Sequence, residues 1–365
     1  MQEGMLELAN RLCRQRFGAD CRLEVLEELV AADWGRSTVW RCSLTGRSSA
    51  PPTLIAKISN LGEGHGRQEA AVLPLLRRDL LPEISMPEFI AADPDCSLLL
   101  LSDLGELRWQ RLADLRSDMS PDQLLAILDR LMQALGRFNR LHPASRLQDA
   151  ADWQQLQATD CTGHSAMRME ASLSRFPEHF ASLGLVLGDA ALAELEQVRE
   201  LLAVPAWQCL THADICPSNV ALVGDALYIY DFEVASLRHP AIDAAWPRMR
   251  SLRCMDCTQL SAAEISRLEQ QWLRGFGPED LTLRCGCENG MLFGAGCLAW
   301  LSALLDWLPA AMQESRNLHG VTDRSRILLG LQAMQDCSRE HGCLPGTADC
   351  CQSLETQLAL RWQAQ

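Results

Sequence analysis

The sequence lacks an excess of positive charge, a long apolar run and any internal repeat, and each absence removes a class of protein. Lys and Arg total 33 against 47 Asp and Glu, a formal charge of −14. Nucleic-acid binders are usually basic, so this balance argues against them and mildly favours a cationic partner. The longest uncharged apolar stretch, residues 290–305, contains Gly and Ser and ends at Asp306. It is short for a membrane span, so a buried helix is expected there. Glu3, Glu7, Arg11, Arg14 and Arg16 interrupt the first apolar residues, so neither a signal peptide nor a membrane association is expected. No low-complexity tract is present, and a 48% hydrophobic chain of 365 residues can bury one large core or two smaller ones. Without a secretory leader, the 16 cysteines are expected to be reduced thiols in a cytoplasmic protein.

The order of elements suggests two lobes. The first ~20 residues have helical spacing, with Leu6, Leu8 and Leu12 on one side. Residues 38–44 and 53–58 read as strands, rich in β-branched and aromatic types, with Pro51 and Pro52 between them. Residues 67–80 have helical spacing, and 97–101 form a short apolar run suited to a buried strand. Ser120-Pro121-Asp122 opens a helix running to about Leu141. Two or three helical segments follow over 165–203, then a small β island over 207–231, then helices to the end. The expected fold is α+β, with a β-rich lobe over residues 1–102 and a larger, mainly helical lobe over 103–365.

The chemistry concentrates in one stretch. Leu210-Thr211-His212-Ala213-Asp214-Ile215-Cys216-Pro217-Ser218-Asn219 is followed, after a Gly224-Asp225 turn, by Tyr230-Asp231-Phe232-Glu233. Phosphoryl transfer needs a carboxylate to orient the attacking hydroxyl, and an amide oxygen and a second carboxylate to hold Mg²⁺ against nucleotide phosphates. The order Asp, Asn five residues on, then Asp-Phe-acid supplies those groups, and Mg²⁺ prefers such hard oxygen donors. The spacing resembles the protein-kinase pattern, with Glu233 in place of its Gly. A strict two-residue turn would put Asn219 opposite Tyr230, on the other face from Asp231. A longer loop, a bulge, or an Asn219 outside the ladder is therefore expected.

These motifs resemble those of the aminoglycoside phosphotransferase and choline-kinase-like superfamily, whose usual forms are His-Gly-Asp-x-x-x-x-Asn and Asp-(Phe/Trp)-(Glu/Asp). The resemblance implies a protein-kinase-like two-lobe fold, ATP or GTP with Mg²⁺ as cofactors, and a small hydroxyl-bearing substrate. It implies Asp214 as catalytic base, Asn219 and Asp231 as metal ligands, and His212 as a prop of the loop. Glu233 is left between metal and substrate. Ala213 stands where the family has Gly, so the loop is expected to take a conformation that an L-residue tolerates. Lys57, in Leu54-Ile55-Ala56-Lys57-Ile58, resembles the phosphate-pairing lysine of kinases, with Glu69 as its holder. Gly35, Arg36 and Ser37 resemble the turn that covers phosphates. Leu99–Gly105, including Ser102, resembles the hinge that contacts the nucleobase. Asp243 suits a buried acceptor bracing the catalytic loop, and His142 a structural role; Arg238 or His239 is a lesser candidate for substrate contact. Cys254, Cys257, Cys285 and Cys287 could make a zinc site, although unligated thiols are the favoured reading. The competing functional class is a catalytically weak, kinase-like nucleotide-binding regulator; a protein kinase is a second competitor.

Overall fold

The computed structural model describes the chain except residues 2, 31–36, 47–49, 60–65, 77–80, 96, 105–109, 112–117, 148–165, 216, 224–225, 250–259, 314–316, 319–320 and 364–365. It is an α+β protein with an antiparallel sheet in its N-terminal part and a mostly helical C-terminal part. The described chain divides into two compact units. One comprises Met1–Gln110, Leu147–Cys161 and Asn219–Ala235, and the other Arg111–Arg146, Thr162–Ser218 and Ser236–Gln365.

The first unit is built on a five-stranded sheet. Helix α1 (Glu3–Phe17) precedes β1 (Arg22–Val30), β2 (Ser37–Thr45) and β3 (Thr53–Ser59). Helix α2 (Arg67–Val72), β4 (Ile84–Ser85), β5 (Phe89–Ala92) and β6 (Leu98–Ser102) follow. The sheet order is β1-β2-β3-β6-β5. Period-two alternation sorts its faces. Trp40, Cys42, Leu54, Ala56, Ile58, Leu98 and Leu100 share one core with Ala9, Leu12 and Cys13 of α1, which sends Lys57 to the opposite face. The helix expected over 67–80 is shorter: its α-helical part ends at Val72 and continues as a 3₁₀ turn over Leu73–Leu75. Pro74 lacks the amide that the next turn needs. In a second sheet, residues 226–229 pair in parallel with β4 and antiparallel with 220–223.

The second unit is mainly helical; among its described residues two short strand pairs occur, Cys209–Thr211 with Ser236–Arg238 and Asn317–Leu318 with Val321–Thr322. Ser120 caps the helix Pro121–Leu141 through a reciprocal bond with Gln123, and Ser261 caps Ala262–Phe276 through Glu264. These two helices cross where neither can carry a side chain. A Cβ on Gly136 would lie 2.1 Å from the Trp272 carbonyl oxygen, and one on Gly275 would lie 1.9 Å from that of Gln133. The apolar helix Asn289–Leu305 is the unit's core element, with Leu292, Phe293, Leu298 and Leu301 fully buried. It is the long apolar segment of the sequence, and its burial satisfies its hydrophobicity within the protein.

Candidate functional site

In the first unit, one ammonium gathers three carboxylates. Lys57 Nζ donates to Asp231 Oδ1 at 2.5 Å and to Glu69 Oε2 at 2.7 Å, and lies 3.6 Å from Glu233 Oε2. Burial works to lower the Lys57 pKa. The carboxylates of Asp231, Glu69 and Glu233 outweigh it and hold the pKa well above the ordinary lysine value. Helix α2 fixes the 231–235 segment at two further points. Glu69 Oε1 accepts the Phe232 amide at 3.1 Å, and the Gln68 side chain donates to the Ala235 carbonyl. Ser37, Ser59, Gly66, Ser97 and Leu99 line a small pocket beside Lys57, Glu69 and Glu233.

The hairpin geometry resolves the register question. Val220 pairs with Ile229 and Val223 with Ala226, so the ladder is regular for a two-residue loop and stops short of Asn219. Asn219 ends a 3₁₀ turn, Pro217–Asn219, and its carbonyl accepts the Tyr230 amide at 3.2 Å. Asp231 then leaves the strand with φ +67°, a region Asp enters more readily than most residues. Asn219 therefore lies outside the paired strand residues, and Asp231 leaves the strand in a left-handed conformation. Their amide and carboxylate oxygens are donors of the kind Mg²⁺ takes.

In the second unit, the loop 211–214 hangs on Asp243. The Asp243 carboxylate is 1% exposed and accepts the His212 amide at 2.9 Å and the Ala213 amide at 2.8 Å. Asn139 donates to it at 2.8 Å and to the Leu210 carbonyl at 2.9 Å, while Trp272 Nε1 donates to Asn139 at 3.1 Å. The Asp214 amide donates to His212 Nδ1 at 3.3 Å, and the Asp214 residue itself is half-buried. Ala213 has φ +58°, so the expectation of a conformation comfortable for an L-residue is corrected. The loop keeps the left-handed turn that Gly would supply, and Asp243 holds it there.

The remaining sequence candidates divide. Ser102 ends β6, where its hydroxyl accepts the Glu88 amide at 2.8 Å. Gly35, Arg36, Cys254 and Cys257 lie outside the described residues. Cys285 and Cys287 are buried free thiols whose pKa values burial raises, that of Cys287 to about 12. No cluster of three or more His, Cys, Asp or Glu suited to a metal occurs among the described residues. His239 is occupied by backbone, its Nε2 on the Cys285 carbonyl at 2.9 Å and its Nδ1 on the Ala241 amide at 3.2 Å. His142 bonds the Phe138 carbonyl at 2.8 Å.

Sequence reading missed Asn139 and one feature of Lys57. Asn139 follows Leu128, Leu131, Leu135 and Phe138 on the buried face of its helix; a polar residue on such a face signals buried partners. Lys57 is the only lysine in the chain, and every other Lys/Arg position is Arg. A chain that uses Arg everywhere else has kept a compact ammonium at this one position.

Residues 28–284 match the phosphotransferase enzyme family. Solved structures also resemble the chain. An ethanolamine kinase of Plasmodium vivax is 14% identical, covering 90% of this chain and 86% of its own, with a TM-score of 0.47. A choline kinase of Streptococcus pneumoniae is 12% identical, with 91% and 99% covered and a TM-score of 0.48. A macrolide 2'-phosphotransferase of Brachybacterium faecium is 15% identical, with 85% and 94% covered and a TM-score of 0.42. No curated protein matches. The match over residues 28–284 covers most of the sequence, and the chain belongs to the phosphotransferase enzyme family.

Proposed function

We propose that the protein is a small-molecule kinase that moves the γ-phosphate of ATP or GTP to a hydroxyl of a small substrate, as a soluble cytoplasmic enzyme. The observation that carries this reading is the convergence on Lys57. A strand lysine, the opening of α2 and the Asp-Phe-Glu segment are far apart in sequence, yet Glu69, Asp231 and Glu233 all lie within 3.6 Å of one ammonium. Such a cluster serves phosphoryl transfer, where positioning and charge do most of the catalytic work.

In this reading Asp214 accepts or orients the proton of the attacking hydroxyl. Asn219 and Asp231 hold Mg²⁺, which when bound offsets the charge of the nucleotide phosphates. Lys57 pairs with phosphate oxygens and Glu69 keeps it extended. Gly35, Arg36 and Ser37 cover the phosphates, and backbone groups around Ser102 meet the nucleobase. Residues 1–102 grip the nucleotide, while 103–365 supply the catalytic loop and the acceptor pocket. The charge of −14 favours a cationic acceptor.

The test is transfer of labelled γ-phosphate from ATP and GTP to a panel of amino alcohols, sugars and polyols. Asp214→Asn should lower turnover by roughly 10²–10⁴ with nucleotide affinity nearly unchanged, the scale of losing a general base. Equal turnover in Asp214→Asn would remove Asp214 from that role. No transfer to any acceptor, with nucleotide still bound, would favour the regulatory alternative.

A further inference from the structure

The Lys57 cluster carries one positive charge against three negative ones, and its members differ in access to solvent. Side-chain exposure is 1% for Glu69, 13% for Glu233 and 28% for Asp231. The carboxylate nearest the ammonium, Asp231 at 2.5 Å, is therefore also the most open. Glu69 is fixed twice, by Lys57 and by the Phe232 amide. Glu233 stands at 3.6 Å, within ion-pair reach but beyond a good hydrogen bond.

A divalent cation arriving from solvent meets Asp231 first. If Asp231 turns its carboxylate from Lys57 to ligate it, the ammonium keeps Glu69 at 2.7 Å and only the longer contact to Glu233 at 3.6 Å. A buried ammonium that loses a partner is costly. Moving Glu233 closer by about 0.8 Å would give a charge-assisted bond of ordinary length.

We propose that Glu233 takes over the Lys57 ammonium when Asp231 turns to a divalent cation, acting as a positioning residue through Lys57 and not as a ligand of the cation. This rests on the reading of Asp231 given above. It also resolves the role of the third residue in Asp-Phe-Glu: its task is to keep Lys57 aimed while the metal occupies Asp231.

The experiment is a double-mutant cycle read by direct binding. Mn²⁺ binding at saturating ADP is measured by the fall of the free-ion electron paramagnetic resonance signal. The chains are wild type, Glu233→Gln, Lys57→Met, the double variant and Asp231→Ala. Glu233→Gln should raise the half-saturating Mn²⁺ by roughly 5–10-fold when Lys57 is present and by less than about 3-fold in the Lys57→Met chain, because only coupled residues depart from additivity. An equal rise in both backgrounds would mean that Glu233 touches the cation, and would overturn the proposal. So would no rise in either. If Glu233→Gln does not fold, Glu233→Asp serves in its place, with a smaller rise and the same dependence on Lys57. A second readout uses the single lysine. In chain labelled with [¹⁵N]lysine, the one side-chain ammonium resonance should stay protected on adding Mg²⁺ and ADP, and lose protection in Glu233→Gln; protection unchanged in that variant counts against the proposal. If Asp231→Ala binds Mn²⁺-ADP as wild type does, the assignment of Asp231 fails, and this inference with it. If Asp231→Ala loses binding and only the cycle fails, the inference about Glu233 falls alone.

Discussion

The two units each hold one chain segment in a conformation that L-residues seldom adopt, and they hold it by different means. Among the described residues, only Ala213, Asp231 and Leu344 have positive φ without being Gly. Two of these belong to the segments that carry the candidate chemistry. In the first unit, Asp231 is held by charge: its side chain meets Lys57, and Glu69 ties both the lysine and the Phe232 amide. In the second, Ala213 has only a methyl group, and backbone amides on a buried Asp243 do the holding. Charges shared among several partners can be redistributed when a ligand arrives. A carboxylate saturated with neutral donors in a buried setting cannot move cheaply. The first unit thus holds its segment adjustably, and the second holds its segment fixed.

Breaking the fixed half should have the largest effect on stability. Asp243→Ala strands the His212 and Ala213 amides and one donor of Asn139. Chemical denaturation should show a loss of roughly 3–5 kcal/mol, the scale for removing one partner of a buried charged network. A loss under ~1 kcal/mol would mean that the loop holds itself.

The second prediction concerns His239, which packs in the same unit. Burial lowers its pKa to about 4 from an ordinary 6.5. Nδ1 already accepts the Ala241 amide, so a second ring proton has nowhere to go. The folded pKa lies below the unfolded one. The resulting stability is therefore present above pH 6.5 and is lost as pH falls toward 4. The loss is roughly 3 kcal/mol by linkage. Stability measured by denaturation at several pH values across that window should fall more steeply with pH in wild type than in His239→Gln. Equal slopes would show that the imidazole is not the titrating group.

The smallest effect is expected at Ala213. Its left-handed φ costs about 1 kcal/mol that Gly avoids, offset in part by the greater freedom of Gly in the unfolded chain. Ala213→Gly should therefore be neutral or stabilising by up to ~1 kcal/mol, whereas the β-branched Ala213→Val should destabilise clearly. Marked destabilisation by Gly would show that the methyl group packs productively.

How much of this was legible in the sequence follows from the range of the forces involved. Local signals read well: the helix start at Ser120, the strands expected over 38–44 and 53–58, and the buried helix expected over 290–305 formed as Pro121–Leu141, Ser37–Thr45, Thr53–Ser59 and Asn289–Leu305. The Lys57–Glu69 pair was also readable, because strand and helix are close in sequence. Pro74 was visible, yet its effect on the helix 67–80 was outweighed by the apolar spacing around it. The two-residue strand β4 was not readable, since its partner lies around Leu227 and nothing local announces that pairing. Asn139 could have been found from its place on an apolar face, and Lys57 from being the sole lysine. The positive φ of Ala213 was signalled by the Gly usual at that place and by Asp243 as a brace, but the methyl group argued against it, and the amide bonds to Asp243, 30 residues away, outweigh that penalty.

If Asp231 holds the metal for nucleotide binding, as proposed, its loss must abolish the metal-dependent part of that binding. The most direct measurement is the thermal unfolding midpoint of wild type and Asp231→Ala with ADP or ATP, with and without Mg²⁺. Binding to the folded state alone raises the midpoint, by linkage. A Mg²⁺-dependent rise is expected in wild type and none in Asp231→Ala. The same rise in both proteins would contradict it.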